Sequence, residues 1–257
     1  MIVTTSQKET QTLTDKARAL AAQIQGTFIP RKERSIERFY EEEETDQFLV
    51  ITKKRIQWYA KGKEKPFFFH PGMATVRIKR LLGGDNDIMI QACQLRNGDS
   101  FLDCTMGLGA DSLVASFAVG EEGRVTGIES EPIIALLVEQ GLQALEEFPE
   151  LDEAARRIEV MCSHHLDVLR KLPDKSYDIV YFDPMFRQGI LESDSLQVLR
   201  GYANPTPLDI QAVNEARRVA KRRIVLKERR DSGEFERLGI SVIHNDSTEI
   251  AYGILET

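Results

Sequence analysis

Asp183, Pro184, Met185 and Phe186 follow the apolar run 179–182, and their types and order suit one chemistry. An aromatic amine is a weak nucleophile because its lone pair is delocalised into the ring. A carboxylate at Asp183 and the carbonyl of Pro184 would accept its two N–H bonds, aim the lone pair at an electrophile and stabilise the developing positive charge. The carboxylate would then take the proton. Phe186 offers a face on which an extruded base can stack, worth roughly 1–3 kcal/mol in single-stranded recognition. The plain alternative is an Asp-Pro turn with Phe186 in the core.

A second group of residues lies upstream. Phe101-Leu102-Asp103-Cys104-Thr105-Met106-Gly107-Leu108-Gly109-Ala110-Asp111 reads as a strand, a glycine turn and a helix. A dinucleotide site would want G-x-G-x-x-G, but the third position is Ser112, and a carboxylate at Asp103 repels pyrophosphate. A ligand with a sulfonium and an ammonium suits Asp103 better, and Gly107 and Gly109 let backbone approach it without a Cβ. Glu129 ends the run Val125-Thr126-Gly127-Ile128 and stands 20 positions after Gly109. There it can accept hydrogen bonds from both ribose hydroxyls of an adenosine. In this order the two motifs point to S-adenosyl-L-methionine rather than NAD.

His164 and His165 follow the third strand of this region, where methyltransferases commonly set a side chain against adenine. We expect adenine-side contact by His164, with His165 helping. A metal site is not expected, because consecutive strand-end residues point in different directions and no further histidine or cysteine completes a ligand set. Cys93, Cys104 and Cys162 are odd in number and lack a CxxC spacing, so they are read as small buried residues.

The elements that must position these groups follow from patterning. From residue 83 onward short β-rich runs alternate with helical ones, the sign of a parallel sheet covered on both faces. Strands are expected near 100–104, 124–129, 158–163, 178–183, 222–227, 240–244 and 249–255, with helices at 111–119, 132–146 and 208–220. Only Asn245-Asp246-Ser247-Thr248 joins the last two strands, too short for a parallel crossover, so the sheet should end in an antiparallel hairpin. The fold class is therefore α/β: a Rossmann-like sheet of seven strands with the last antiparallel, as in class I S-adenosylmethionine-dependent methyltransferases. Residues 1–82 form a small α+β module, with a helix capped by Thr14 and stopped at Gly26, then strands at 47–52 and 55–59. Residues 83–257 are the methyltransferase domain.

Asp183-Pro184-Met185-Phe186 resembles the (D/N)PP(Y/F) signature of methyltransferases acting on exocyclic amines of bases. With the run from Asp103 to Asp111, Glu129 and Ile224-Val225-Leu226-Lys227, the chain resembles the small-subunit ribosomal RNA methyltransferase J family from about Pro66 onward, as a divergent relative. The resemblance implies formation of N2-methylguanosine, with cofactor contacts at Ala110, Asp111, Glu129, Ser130, His164, His165 and Asp183. Ala110 and Ser130 stand where the family has arginines, and His164-His165 replaces a serine pair. Residues 187–194 are near neutral where the family is lysine-rich.

The net charge of −7 hides a split: 16 Lys and Arg against 10 Asp and Glu up to Leu82, then 18 against 31. RNA, expected to be ribosomal, should therefore meet the basic N-terminal module. Lys53, Lys54, Arg55, Lys61, Lys63, Lys65, Arg77, Lys79 and Arg80 would contact phosphates, and Lys227 the substrate. The alternatives are methylation of a protein or small-molecule amine, and a non-catalytic RNA-binding or assembly factor on the same fold. The latter has no use for an amine-orienting acid beside a cofactor turn. No basic-then-apolar leader opens the chain and no apolar run approaches the ~20 residues that span a bilayer, so a cytoplasmic enzyme with no membrane partner is expected. Nothing in the sequence speaks to oligomeric state.

Overall fold

The computed structural model describes residues 1–184, 207–243 and 249–257. They divide into two compact units, Met1–Phe69 and the residues from His70 onward.

In the first unit, β1 (Ile2–Thr5), α1 (Gln11–Gln23), β2 (Thr27–Phe28), α2 (Ile36–Glu42), β3 (Gln47–Ile51) and β4 (Ile56–Ala60) build a sheet of order β2-β1-β3-β4. β1 runs parallel to β2 and β3, while β3 and β4 form an antiparallel hairpin. Phe48 anchors a core with Phe39 and Val50, its ring stacked 5.5 Å from Tyr59. The helix starts a turn earlier than expected. Thr10, not Thr14, is the cap, accepting from the Leu13 amide at 3.3 Å, because Leu13 already belongs to the buried stripe with Ala17, Leu20 and Ala21. Gln25 takes the left-handed conformation that Gly26 was expected to hold. Gly26 is needed for space, since a Cβ there would lie 2.3 Å from the Met1 carbonyl oxygen.

The second unit contains α3 (Met73–Leu82), α4 (Ile88–Cys93), β5 (Ser100–Asp103), α5 (Ala110–Val119), β6 (Arg124–Glu129), α6 (Pro132–Gln143), α7 (Pro149–Arg156), β7 (Ile158–Cys162), α8 (His165–Lys171), β8 (Tyr177–Phe182), α9 (Ile210–Val219), β9 (Ala220–Arg229), α10 (Glu234–Leu238), β10 (Ser241–Ile243) and β11 (Ile250–Glu256). Its seven-stranded sheet has the order β10-β11-β9-β8-β5-β6-β7, with β11 antiparallel to both neighbours. This is the Rossmann-like methyltransferase architecture. Leu102, Val180, Phe182, Ile224 and Leu226 are fully buried, as a sheet covered on both faces requires. Strand order reverses between β5 and β8, and in open α/β sheets ligands bind at the carboxyl ends of the strands flanking such a switch.

The patterning boundary at residue 83 places Met73–Leu82 with the N-terminal module, but this helix packs against α5 in the second unit. Cut at Phe69, the first unit has 13 Lys and Arg against 10 Asp and Glu, so half of the apparent basic surplus sits on α3. Cys93 and Cys104 are buried; Cys162 is exposed, because it ends β7, the edge strand of the sheet. Among the described residues no helix is long and apolar enough to cross a membrane.

Candidate active site

The site forms where β5, β6 and β8 end side by side. Asp103 pairs in register with Gly127 on one flank and Tyr181 on the other, so the glycine turn, Glu129 and Asp183 converge on one edge. The Asp103 carboxylate is almost wholly buried and accepts from the Thr105 amide at 3.1 Å and the Ser112 hydroxyl at 2.6 Å. Ser112, the residue that breaks the dinucleotide pattern, is thus an internal donor to Asp103. Burial pushes the Asp103 carboxyl up to about 7; Ser112 opposes this and the charge of Asp111 adds to it.

Gly107 and Gly109 both have positive φ, at 52° and 74°. Their uses differ. A Cβ on Gly109 would meet Met106 Cε at 2.9 Å, so that glycine makes room for a buried methionine. Gly107 faces no atom nearer than 4.0 Å, and its amide donates to Glu129 Oε2 at 3.1 Å. The other Glu129 oxygen accepts from the Glu131 amide at 2.8 Å and, more weakly, from the Ser130 hydroxyl at 3.4 Å. Burial raises the Glu129 pKa against those backbone donors.

Asp183 lies just beyond β8, its amide donating to Thr105 Oγ1 at 2.5 Å, which ties the two strand ends together. Lys227 Nζ, from β9, sits 2.6 Å from Asp183 Oδ2 and 2.9 Å from Asp111 Oδ2. The Tyr181 hydroxyl donates to the same Asp111 oxygen at 2.8 Å, and Arg77 donates to the other. Arg77 also grips Asp87 with two bonds of 2.7 and 2.9 Å, and Asp87 caps α4. Burial works against an ionised Asp111, but Lys227 and Arg77 hold its carboxyl far below the usual carboxylate range. Burial pushes the Asp183 carboxyl up to about 7, with Lys227 pulling it down and Asp111 pushing it up. Asp87, Asp103, Asp111 and Asp183 outnumber Arg77 and Lys227 two to one, and Glu129 lies close by. Two of these carboxyls, Asp103 and Asp183, sit near 7 and are ionised only in part at neutral pH, so the site is modestly negative, which fits a cationic ligand better than a pyrophosphate.

His164 caps α8, its Nδ1 accepting from the Leu166 amide at 3.3 Å. The two imidazoles do not diverge as strand alternation suggests: they stack at 4.4 Å, because His165 is already the first helical residue. His165 also packs edge-on against Phe182 at 5.9 Å. Burial, helped by His164, lowers its pKa to about 4, so it is neutral at physiological pH. Among the described residues no group of three or more His, Cys, Asp and Glu is placed to hold a metal.

Two residues expected at RNA or substrate form ion pairs within the second unit. Arg77 is committed to Asp87 and Asp111 inside the unit, and Lys227 to two carboxylates, because buried charges must be paired. Arg80 pairs with Asp85 at the surface at 3.1 Å. Ala110 opens α5, Ser130 is exposed beside Glu129, and Pro184 ends the described stretch. Phe186, Met185 and the segment 187–194 lie outside the described residues. Sequence reasoning missed Tyr181, Thr105 and Met106. Tyr181 looks like one more apolar strand residue, and Thr105 was visible only as a turn residue.

Comparison with known proteins agrees with this geometry. Residues 34–242 match the family described as "Putative SAM-dependent methyltransferase". The uncharacterized protein YpiP of Bacillus subtilis (strain 168) is 38% identical over 100% of this chain and 99% of its own length. A ribosomal RNA small subunit methyltransferase J of Ectopseudomonas mendocina (strain ymp) is 29% identical over 75% of this chain and 76% of its own. A solved SAM-dependent methyltransferase from Neisseria gonorrhoeae shares the fold at a TM-score of 0.65, with 17% identity and coverage of 100% of this chain and 96% of that one.

Proposed function

The chain belongs to this SAM-dependent methyltransferase family, and from that premise we propose that it methylates an exocyclic amino group of an RNA base, namely guanine N2 of small-subunit ribosomal RNA. The observation that carries the reading is the placement of Asp183-Pro184 at the switch point of the sheet. Its backbone is held by Thr105, and its carboxylate has one oxygen on Lys227 and the other not engaged by Lys227. The relatives named as methyltransferase J support ribosomal RNA as the substrate class.

S-Adenosyl-L-methionine supplies an electrophilic methyl group on a cationic sulfur. Glu129 would hold its ribose hydroxyls, His164 and His165 would flank the adenine, and Asp103 would supply negative charge from below the turn. Asp183 and the Pro184 carbonyl accept the two N–H bonds of the base amine and turn its lone pair to the methyl carbon. Methyl transfer to the amine, with sulfur leaving as a neutral thioether that keeps the C–S electron pair, would develop positive charge on nitrogen. The Asp183 carboxylate stabilises that charge and accepts the proton. Its elevated pKa suits this, since a base near neutrality is strong enough to take a proton and still ionised in part at working pH.

Nucleoside mass spectrometry of RNA from cells lacking the protein, fractionated by RNA type, tests the reading. N2-methylguanosine should fall in small-subunit ribosomal RNA and return when purified protein and S-adenosyl-L-methionine are added. An unchanged nucleoside profile in every fraction refutes it.

A further inference from the structure

The first unit carries a cleft of about 680 Å³ between the β1–α1 loop and the β3–β4 turn. Its lining brings Lys8 together with Lys53, Lys54 and Arg55, and Ser6, Gln7, Thr10, Thr52 and Gln57 complete it without a carboxylate. Lys8 and Lys53 are 45 positions apart in the chain. They meet because β1 and β3 are parallel neighbours, which brings the loop after one to the turn after the other.

Part of the acidic run at the end of α2 is paired with other cations, Arg34 with Glu42 and Glu43 and Arg38 with Glu42, and Lys61 pairs with Asp46. Glu9, next to Lys8, accepts from the Thr5 hydroxyl at 2.9 Å and the Arg31 amide at 2.8 Å. Four of the unit's 13 basic residues thus share one concave lining. The turn is also held in shape: Thr52 Oγ1 accepts from the Lys54 and Arg55 amides at 3.2 and 3.1 Å and donates to the Arg55 carbonyl at 2.8 Å. Arg55 rests on the Phe68 ring at 3.6 Å, leaving its charge at the rim. The N-terminus of the 13-residue α1 adds partial positive charge beside the lining.

We propose that this cleft is a phosphate-binding site for the sugar–phosphate backbone of the RNA substrate. The identity of the partner rests on the RNA reading above, whereas the cleft's affinity for polyphosphate does not. It takes over the role assigned from sequence to the whole basic half, now that Arg77 is committed inside the second unit.

Fluorescence anisotropy with a labelled single-stranded RNA, across a salt series, tests the site in the full chain. Lys53→Gln/Lys54→Gln should weaken binding about ten-fold at moderate salt and reduce the slope of log affinity against log salt by about 1.4, roughly 0.7 per phosphate contact. Lys16→Gln/Lys32→Gln, an equal charge change on exposed residues outside the lining, should stay within about two-fold. Equal losses in both variants would overturn the proposal, as would a wild-type chain that does not bind RNA or RNA displaced equally well by polyglutamate. Calorimetric titration with S-adenosyl-L-methionine separates the two readings. Cleft-dependent RNA binding by a chain that takes up no cofactor would sink the methyltransferase role and leave the cleft standing.

Discussion

Lys227 Nζ lies 2.6 Å from an oxygen of Asp183, and the same ammonium is held from behind by Asp111 at 2.9 Å. The acid expected to orient the target amine is therefore itself oriented. The neighbouring Asp111 carboxylate accepts from Tyr181, Arg77 and Lys227. Asp111, implied by resemblance to touch the cofactor, is built into the protein's own charge network.

Replacing Asp183 by Ala removes the amine acceptor and leaves the glycine turn and Glu129 in place. Methyl transfer should fall by about 10²–10³-fold, the usual cost of losing one transition-state-stabilising group. Affinity for S-adenosyl-L-methionine should stay within a few-fold. Single-turnover assays on RNA from cells lacking the protein, with calorimetry alongside, check both; near-wild-type turnover would remove Asp183 from the mechanism.

Asp103 and Asp183 titrate near 7 in the folded chain, against about 3.9 for an unperturbed aspartate. The folded state therefore holds extra protons between these values, so stability should decline as pH rises from about 4 to 7. A cationic ligand favours the ionised carboxylates. Affinity for S-adenosyl-L-methionine should accordingly increase from pH 6 to pH 8, and Asp103→Asn should flatten that trend. A flat calorimetric profile in the wild type would contradict the assignment.

Lys227→Met removes the cation that pulls Asp183 down. Its carboxyl should then hold its proton to higher pH, and the acidic limb of kcat/KM should move upward relative to wild type. Lys227→Arg should restore part of the original profile, which a purely structural lysine would not require.

Asp111→Leu leaves Arg77 and Lys227 partly buried without their shared carboxylate. Removing one partner from a buried ionic network typically costs about 3–5 kcal/mol. Urea unfolding should show the loss; a cost below about 1 kcal/mol would mean that the network relaxes into solvent.

Gly127→Ala tests the floor of the glycine turn. A Cβ there would fall 2.2 Å from Met106 Sδ and 2.8 Å from its Cγ, so Met106 must move, and overpacking of this kind costs about 1–3 kcal/mol. Cofactor affinity should drop, and the added substitution Met106→Ala should recover part of it in the same titration.

Much of this protein was legible from residue order, because local physics is periodic. Alternating β-rich and helical runs located the sheet of the second unit, the short link before its last strand foretold the antiparallel pairing, and acids at three strand ends marked Asp103, Glu129 and Asp183. The first unit was less readable. β1 and β2 have four and two residues, too few for a pattern, and they exist because parallel pairing across α1 satisfies their backbone. Pairing of charges could not be read at all. Arg77 and Lys227 stand 34 and 116 positions from Asp111. Electrostatic attraction in a poorly solvated interior depends on distance through space, and only the folded chain sets that distance. Charge composition assigned Arg77 to RNA phosphates and Lys227 was expected at the substrate; the tertiary structure pairs both with carboxylates, and the N-terminal cleft is a concave basic surface on which we expect RNA to bind.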